Sequence, residues 1–471
     1  MAENSGYILP DAGCLLPRSG RIAKDTLQLS LRLSKLAYDM DIAPYLDAGW
    51  QDISFQVDDL LLTDFKSRKS ILQAAAKAKS RMEKLDPISQ YLGFKRQKEE
   101  LDTCKAVVLS KQTGDITLIV IAFTGTTRRM YEWLGNLRVE EEDGFHAGFL
   151  QLTKVFEENA GKITFPSIQK TLANVIDEMR AGSSRYRLFV TGHSQGAALT
   201  QIYLYRLMQS GVPAEKMQGV GFASPCVCME RSVQLAANYP IIHVINADDV
   251  IARIGGRMHI GMCHVLPPSG DFRRACYGPR ADLPVMREML ALLHDVRSTP
   301  QALLLGMALT ESLAQLPASE SEEIWGAVMR SYLPDVFVQR LRGYAQRIMR
   351  SANRRLQMKY EKTAGAVKTE ELAVYRGKWA DCIANFGAKE SIAALMDVLA
   401  RPHALAESGH TRAYQLLTEE FDRQLVSCMW CNTGDPVWDQ WTEIPKGREM
   451  RAAYDRFHPL STQRRRKRDD Q

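Results

Sequence analysis

The sequence predicts an α/β fold with a mainly parallel central sheet and a large helical insertion. Between about residues 105 and 270, apolar runs typical of buried strands alternate with segments of helical periodicity. One of these strands is followed by a Gly-His-Ser-Gln-Gly turn and then by a helix. From about residue 280 to 427 almost every segment has a helical pattern, and no fixed repeat period is present. In such a fold, functional residues are expected at the carboxyl ends of the strands.

Four segments are expected along the chain. Residues 1–100 form a helical N-terminal extension, and residues 101–270 form the α/β core. Residues 271–400 form the helical insertion or cap, and residues 401–471 form a C-terminal part with a basic tail. The arginines and the lysine close together in that tail are interpreted as a solvated charge run.

Local patterns predict individual elements within these segments. Leucines at helical spacing predict a helix within Ala23–Met40, although the alternation over Leu27–Leu33 also suits a strand. Two apolar runs around a Gly-Asp turn predict a β-hairpin over Lys105–Gly125. Further strands are predicted at Gly219–Ala223 and Ile241–Ile245. The other predicted helices are Ser67–Leu85, Phe165–Arg180, Val285–Asp295, Ala302–Leu316, Ser319–Tyr332, Pro334–Lys362, Glu370–Asn385, Lys389–Ala400 and His410–Val426.

The composition is that of an ordinary globular protein. Of 471 residues, 45% are hydrophobic and 25% are charged, and the formal net charge is +6. This mild positive charge does not indicate nucleic-acid binding, but it suits approach to an anionic surface. The nine cysteines are scattered and odd in number, which indicates a reducing compartment rather than a disulfide framework. The N-terminal segment lacks the basic and apolar regions of a secretory signal, and no apolar run is long enough to cross a membrane.

Two pairs of cysteines close in sequence could each form half of a zinc site or a redox pair. They are Cys226 with Cys228 and Cys428 with Cys431. Neither has a second pair of cysteines or histidines at metal-binding spacing, so they are interpreted as ordinary thiols. The sequence therefore predicts no metal site and no cofactor.

The stretch Tyr186–Gly211 carries the strongest chemical signal. An apolar run ending at Val190 predicts a buried strand, and the apolar pattern after Gly196 predicts a helix. A Gly-x-Ser-x-Gly turn between a strand and a helix is typical of a nucleophile elbow, in which the serine Oγ is held clear of the sheet. The N–H groups at the start of the helix then point toward any oxyanion that forms. Ser194 is the candidate nucleophile.

A serine hydroxyl is a poor nucleophile at neutral pH and needs a base that a carboxylate orients. In the fold that the elbow indicates, the acid follows the serine and the histidine follows the acid. Asp249, at the end of a predicted strand, is the candidate acid, and its neighbour Asp248 is the second choice. Spacing alone does not select the base among the later histidines, which are His259, His264, His294, His403, His410 and His458.

Six short motifs stand in order between about residues 105 and 265. They are Ala122–Thr127, Trp133–Leu137, His146–Phe149, Gly192–Ala198, Phe222–Pro225 and Asn246–Val250. This ordered set resembles the class 3 lipases, which are fungal-type α/β-hydrolases that cleave acyl esters of glycerol. Each motif is weak by itself, whereas the ordered set is specific. The resemblance implies an α/β-hydrolase fold.

The resemblance also implies a catalytic triad. Ser194 and Asp249 match the family's nucleophile and acid, and the family's histidine lies on a late segment with a tyrosine a few residues after it. His410 fits this pattern, and His403 and His458 are held in reserve. The long interval between Asp249 and His410 places the helical insertion between acid and base.

The oxyanion-binding residues follow from the same resemblance. Thr126 stands where the family has its oxyanion residue, which contributes a backbone N–H and a hydroxyl, and the Gln195 N–H is the second donor. The chain departs from the family at Thr124, which replaces the usual arginine, and at Gln195 and Ala197 in the elbow. The change at Thr124 puts the anchoring of the oxyanion strand in question.

A basic stripe in the predicted insertion has two interpretations. Arg340, Arg347 and Arg354 recur every seven residues on one helical face, beside an apolar stripe. Such a helix can lie on anionic lipid, or it can pack its apolar stripe inward and leave the arginines in solvent.

The sequence therefore predicts a serine esterase or lipase that hydrolyses acyl esters of glycerolipids through an acyl-enzyme. The basic charge and the missing secretory signal favour glycerophospholipids, cleaved in the A1 manner at a peripheral membrane surface, over neutral triacylglycerol. A bacterial phospholipase effector has the same features; it is made in the cytoplasm, exported without a signal peptide and bound by a neutralising or delivery protein.

Two alternatives stay open. A non-catalytic lipase-like scaffold would not react with a serine probe, and an esterase for small soluble esters would not respond to substrate aggregation.

Overall fold

The computed structural model describes residues 11–16, 24–39, 41–52, 106–125, 141–182, 184–229, 240–256, 258–266, 270–296, 298–329, 342–403 and 429–431, and the single residues 339, 405 and 414. These residues fall into two compact units. The first unit comprises Met1–Arg138, Ala147–Gly221 and Asn238–Ile241, and the second comprises Val139–His146, Phe222–Ala237 and Ile242–Gln471.

The described strands and helices are numbered here in chain order. The strands are β1 (Gln51–Asp52), β2 (Ala106–Thr113), β3 (Ile116–Phe123), β4 (Glu141–Glu142), β5 (Phe145–His146), β6 (Thr164–Phe165), β7 (Lys170–Thr171), β8 (Tyr186–His193), β9 (Met217–Phe222), β10 (Ile241–Asn246), β11 (Met262–Leu266) and β12 (Met429–Cys431). The helices are α1 (Lys24–Asp39), α2 (Ala43–Asp47), α3 (Ala147–Glu158), α4 (Leu172–Arg180), α5 (Gln195–Gln209), α6 (Gly270–Tyr277), α7 (Pro284–His294), α8 (Thr299–Gln315), α9 (Ala318–Met329), α10 (Ala345–Ala364), α11 (Thr369–Phe386) and α12 (Ala388–Ala400).

The sheet of the first unit brings two strand ends to one edge. The predicted hairpin is confirmed, with β2 and β3 antiparallel around a turn at Gly114, whose φ is +58°. The next strand, β8, runs parallel to β3, and Phe123 pairs with Gly192 at the carboxyl ends of both. Apolar side chains of β3 and β8 are buried almost completely, so both ends are held rigidly.

Helix α1 packs against this sheet. The helix predicted within Ala23–Met40 is confirmed as Lys24–Asp39, and the strand alternative is excluded. Its side chains Leu29, Leu33 and Leu36 are buried, and the helix lies against β8 and β3. Burial of these leucines, rather than their local alternation, therefore decides the conformation.

The helix predicted over Phe165–Arg180 is wrong at its start. Helix α4 begins at Leu172, and the preceding residues form the small hairpin β6–β7. A capping box ends the hairpin: the Asn174 N–H donates to the Thr171 hydroxyl over 3.2 Å, and the Thr171 N–H donates to the Asn174 side chain over 3.1 Å. This reciprocal pair satisfies the first N–H groups of the helix and fixes where it starts.

The second unit combines strands with a layer of helices. Strands β10 and β11 are parallel, and β11 pairs antiparallel with β12. Helix α8 packs against α10 and α11, and α7 packs against α12. Side chains such as Trp379 and Tyr360 are buried between them. The helices predicted at 285–295, 302–316, 370–385 and 389–400 are thereby confirmed to within a few residues.

Four helix predictions fall partly or wholly outside the described residues, and one of them, Ser319–Tyr332, is described as α9 up to Met329. Those at Ser67–Leu85 and His410–Val426 lie outside them apart from Tyr414. The one at Pro334–Lys362 is described from Arg342, which begins a short 3-10 turn, and the α-helix starts at Ala345. Among the helices in the described ranges, none combines the length and the apolar character needed to cross a membrane.

Close packing of α5 on β3 gives a first testable prediction. A Cβ on Gly196 would overlap the Phe123 carbonyl oxygen, which belongs to the backbone and has no room to move. We expect Gly196→Ala to lower the free energy of unfolding by about 3 kcal/mol. Urea unfolding measures this loss. Gly161→Ala is the control, since a Cβ there meets no atom within 4 Å; equal losses in both variants would contradict the prediction.

Candidate active site

The first unit contains a strained turn at Ser194. Strand β8 ends at His193 and helix α5 begins at Gln195, so the serine is the single residue between strand and helix. Its φ of 56° and ψ of −123° lie in a region that residues with a side chain rarely adopt. Ser194 is partly exposed although its neighbours on both sides are buried. This strand–serine–helix turn has the geometry that is typical of a nucleophile elbow.

The start of α5 provides a positive electrostatic field at this turn. The Ala197 and Ala198 N–H groups donate to the Ser194 carbonyl oxygen over 3.0 and 3.1 Å, so the helix begins directly after the serine. Gln195 is its first residue, and backbone N–H groups in a first turn carry the positive end of the helix dipole. This position suits the role of oxyanion donor expected for Gln195. The other expected donor, Thr126, lies outside the described residues.

The second unit contains a buried carboxylate with several donors. Asp249 follows β10 and is 1% exposed. It accepts hydrogen bonds from His403 Nδ1 at 2.9 Å, from the Tyr414 hydroxyl at 2.7 Å and from the Ile251 N–H at 3.0 Å. Burial alone would raise the pKa of Asp249, but the His403 charge and these hydrogen bonds hold it below its ordinary value. The carboxylate therefore stays ionised at neutral pH.

His403 is the imidazole at this carboxylate. It lies just after α12, where the Pro402 carbonyl accepts a hydrogen bond from the Asn246 side chain at 3.3 Å. Because the ionised Asp249 can only accept, Nδ1 of His403 carries the proton and Nε2 holds the lone pair of the neutral ring. This is the tautomer that a general base needs. His410, the base favoured in the sequence analysis, and His458 lie outside the described residues.

Tyr414 closes the network behind the carboxylate. Its hydroxyl donates to Asp249 and accepts the Asn246 N–H over 3.1 Å. Burial raises the pKa of Tyr414 well above its ordinary value, and the Asp249 charge raises it further. The hydroxyl therefore remains a donor. In the sequence, Tyr414 is only the tyrosine that follows His410, and no local signal indicates its contact with Asp249.

Asp248 has different partners from its neighbour Asp249. Its carboxylate is fully buried and accepts two hydrogen bonds from Arg273, at 2.7 and 2.9 Å, and one from His294 Nε2 at 2.8 Å. Burial alone would raise the pKa of Asp248, but the hydrogen bonds and charges of His294 and Arg273 hold it below its ordinary value. Arg273 lies on α6 and His294 ends α7, so the insertion holds the loop that carries Asp249.

Arg253 forms a second connection between this loop and α7. The side chain is 1% exposed, and its guanidinium donates to the carbonyl oxygens of Leu293 and Val296 over 3.0 and 3.1 Å and to that of Ala247. Carbonyl oxygens at the end of a helix have no N–H donor within the helix, and the N–H groups of a buried guanidinium can satisfy them. Neither Arg253 nor Arg273 was singled out from the sequence.

The buried histidines and cysteines near β10 are structural in character. His259 Nε2 donates to the Ser224 carbonyl oxygen over 2.6 Å, and burial lowers the pKa of His259 to about 4. The thiols of Cys226 and Cys228 are buried, and burial raises the pKa of Cys228 to about 12. Within the described ranges, no group of three or more His, Cys, Asp or Glu side chains has the geometry of a metal site.

A family model matches part of the chain. Residues 120–258 match the model of the class 3 lipases. The matched residues include both Ser194 and Asp249. Together with the parallel strands and the elbow, the match confirms the α/β-hydrolase fold that the sequence predicts. No curated protein sequence matches the chain.

Solved structures with partial similarity are fungal lipases. A Rhizomucor miehei lipase propeptide complex shares 20% identity over 35% of this chain and 52% of its own, with a TM-score of 0.27. A fungal lipase–inhibitor complex shares 18% over 52% of this chain and 80% of its own, with a TM-score of 0.34. A lipase of Rhizopus microsporus var. chinensis shares 16% over 35% of this chain and 57% of its own, with a TM-score of 0.28. The chain thus spans about half the length of the Rhizomucor complex.

The cluster around Asp248 gives a testable pH dependence. A carboxylate whose pKa is lowered by folding stabilises the protein above its ordinary pKa, and this stability is lost as the pH falls through the lowered value. We expect Asp248→Asn to cost about 2 kcal/mol at pH 7 and much less at pH 3. Urea unfolding at both pH values measures the difference. Asp177→Asn is the control, because Asp177 is exposed and pairs only with Arg180; a cost of Asp248→Asn that does not change with pH would contradict the prediction.

Proposed function

We propose that this protein is a serine ester hydrolase that cleaves acyl esters of glycerophospholipids in the A1 manner. Ser194 is the nucleophile, His403 the general base and Asp249 the residue that orients it. The observation that carries the proposal is the buried Asp249 carboxylate bonded to His403 Nδ1. The strained elbow at Ser194 and the class 3 lipase match over residues 120–258 support it.

The proposed reaction has two halves. His403 takes the proton of the Ser194 hydroxyl as Oγ attacks the ester carbonyl, and the Gln195 N–H with Thr126 stabilises the tetrahedral oxyanion. The intermediate collapses, the lysophospholipid leaves with the proton from His403, and the acyl group stays on Ser194. Water then attacks the acyl-enzyme with His403 as base, which releases the fatty acid and restores the serine.

The surroundings of Asp249 suit this cycle. His403 becomes positively charged in both transition states, and an ionised carboxylate at Nδ1 stabilises that charge. The lowered pKa of Asp249 keeps the carboxylate ionised when its neighbour is charged, so the proton stays on the imidazole. Tyr414 and Ile251 fix the carboxylate oxygens, which restricts rotation of the ring.

Replacement of each candidate histidine, His403 and His410, by alanine tests which of them is the base. We expect His403→Ala to lower kcat by about 1,000-fold or more, because the hydroxyl of Ser194 loses its proton acceptor. His410→Ala is expected to retain activity within about threefold, since His403 is the imidazole bonded to Asp249. Turnover of a soluble p-nitrophenyl ester measures both. Loss of activity in His410→Ala with activity retained in His403→Ala would reverse the assignment.

The exposed arginines of helix α10 favour a substrate that is presented at a phospholipid surface. Its arginines Arg347, Arg350, Arg354 and Arg355 are exposed, and in the described part of the chain none of them pairs with a carboxylate. The opposite side of the helix packs inward: the Asn353 side chain donates to the Met307 carbonyl over 2.9 Å. The helix therefore offers several guanidinium groups, which suit anionic phosphate headgroups.

Vesicle binding tests the proposed surface. In a Ser194→Ala background, we expect replacement of the four arginines by Gln to weaken binding to vesicles of equal phosphatidylglycerol and phosphatidylcholine by at least about tenfold. Binding to pure phosphatidylcholine should change little. Co-sedimentation measures both. The control replaces four other exposed basic residues of the same unit, Arg274, Arg287, Lys378 and Lys389, by Gln, which removes the same charge. Equal weakening in both proteins would contradict a surface located on α10.

A further inference from the structure

Helix α1 ends against the residue that follows β3. The Thr124 hydroxyl donates a hydrogen bond to the Ala37 carbonyl oxygen over 2.8 Å, and both residues are buried. Ala37 lies among the last four residues of α1, whose carbonyl groups have no partner within the helix. Thr124 is also the position at which the sequence departs from the arginine usual in class 3 lipases. Its hydroxyl thus satisfies a helix end and ties that end to the strand.

The same helix end contacts the residue before the elbow serine. The Tyr38 hydroxyl lies 3.1 Å from His193 Nδ1, and the two rings pack edge to face with centroids 6.0 Å apart. A Cβ on Gly125 would overlap the Tyr38 hydroxyl and would lie 2.5 Å from the His193 carbonyl oxygen. Only glycine fits at this point of contact. Consecutive residues of α1, Ala37 and Tyr38, therefore contact the first residue after β3 and the last residue of β8.

These two segments lead directly to the expected oxyanion donors. Gly125 precedes Thr126 in the chain, and His193 precedes Ser194 and Gln195. An oxyanion hole stabilises the transition state only if its donors are preorganised, and a displacement of about 1 Å can cost about 100-fold in rate. Helix α1 contacts the described residues that precede both donors in the chain, which are Thr124 and Gly125 on one side and His193 on the other.

We infer that Tyr38 and Thr124 are positioning residues for the oxyanion site, through which α1 fixes the segments leading to Thr126 and Gln195. The inference rests on the proposed hydrolase function. Residues 24–39 lie outside the segment that matches the lipase family model, so the inference assigns a role at the site to the N-terminal extension. At the position where class 3 lipases usually have arginine, the Thr124 hydroxyl is hydrogen-bonded to the end of α1.

Single-hydroxyl variants test this inference. Thr124→Val keeps the shape of the side chain and removes its hydroxyl, and Tyr38→Phe removes the hydroxyl near His193. For each we expect kcat on a soluble p-nitrophenyl ester to fall by about 10- to 100-fold, with KM within about twofold. The inhibition constant of a trifluoromethyl ketone, which occupies the oxyanion site as a transition-state analogue, should rise by the same factor as kcat/KM falls. Thr124→Ser keeps the hydroxyl and should restore kcat to within about threefold.

The control is the same change elsewhere on the same helix. Thr26 is buried in α1 and donates to the Cys14 carbonyl over 2.7 Å, so Thr26→Val loses an equivalent hydrogen bond far along the helix. It should lower the melting temperature of the protein as much as Thr124→Val but leave kcat and the inhibition constant unchanged. If Thr124→Val did not fold, Tyr38→Phe would carry the test.

Two failures can be distinguished. If Ser194→Ala turned over the ester as fast as wild type, the proposed function would be wrong and the inference would be wrong with it. If Ser194→Ala were inactive while Thr124→Val and Tyr38→Phe kept wild-type kcat, the inference alone would be overturned. An equal loss of kcat in Thr26→Val would also overturn it, because the effect would then come from helix stability.

Discussion

The backbone of Ser194 is held in a conformation that costs energy, and the packing of the strand before it and the helix after it stabilises that conformation. A non-glycine residue with φ of 56° and ψ of −123° is strained by roughly 1–3 kcal/mol. Strand β8, paired with β3 over seven residues from Thr117 to Phe123, fixes the chain before the serine. Helix α5, packed on the same strands, fixes the chain after it. Gly196 permits that packing because its missing side chain lets the helix approach the Phe123 carbonyl.

Adjacent carboxylates in the second unit show how a like-charge pair is tolerated in a buried loop. Asp248 and Asp249 are both almost completely buried and both have a pKa below the ordinary value. Successive side chains point in different directions, and each carboxylate has its own donors. Asp248 is paired with Arg273 and His294, which come from the insertion, whereas Asp249 is paired with His403 and Tyr414. The helices between Asp249 and His403 therefore help to hold the loop that carries both carboxylates.

Local patterns predicted the parts of the site that depend on neighbouring residues. The hairpin, the elbow and the strand leading to Asp249 each have a periodicity or turn signal within about 10 residues. The start of α4 was predicted wrongly because a capping box at Thr171 overrides helical periodicity. The bond from His403 to Asp249 joins residues 154 apart, and that from Thr124 to Ala37 joins residues 87 apart. No local signal identifies such pairs. Local patterns therefore do not select the partner of Asp249 among six histidines, and they do not indicate the hydrogen bond from Thr124 to α1.

Covalent trapping of the serine tests the central claim most directly. Wild-type protein would be treated with a fluorophosphonate, digested and mapped by mass spectrometry, with residual esterase activity followed in parallel. The proposed mechanism predicts one adduct on Ser194 whose appearance matches the loss of activity, and no adduct in Ser194→Ala. Esterase activity that survives complete modification of Ser194, or an adduct on another residue that accounts for the loss, would contradict the claim.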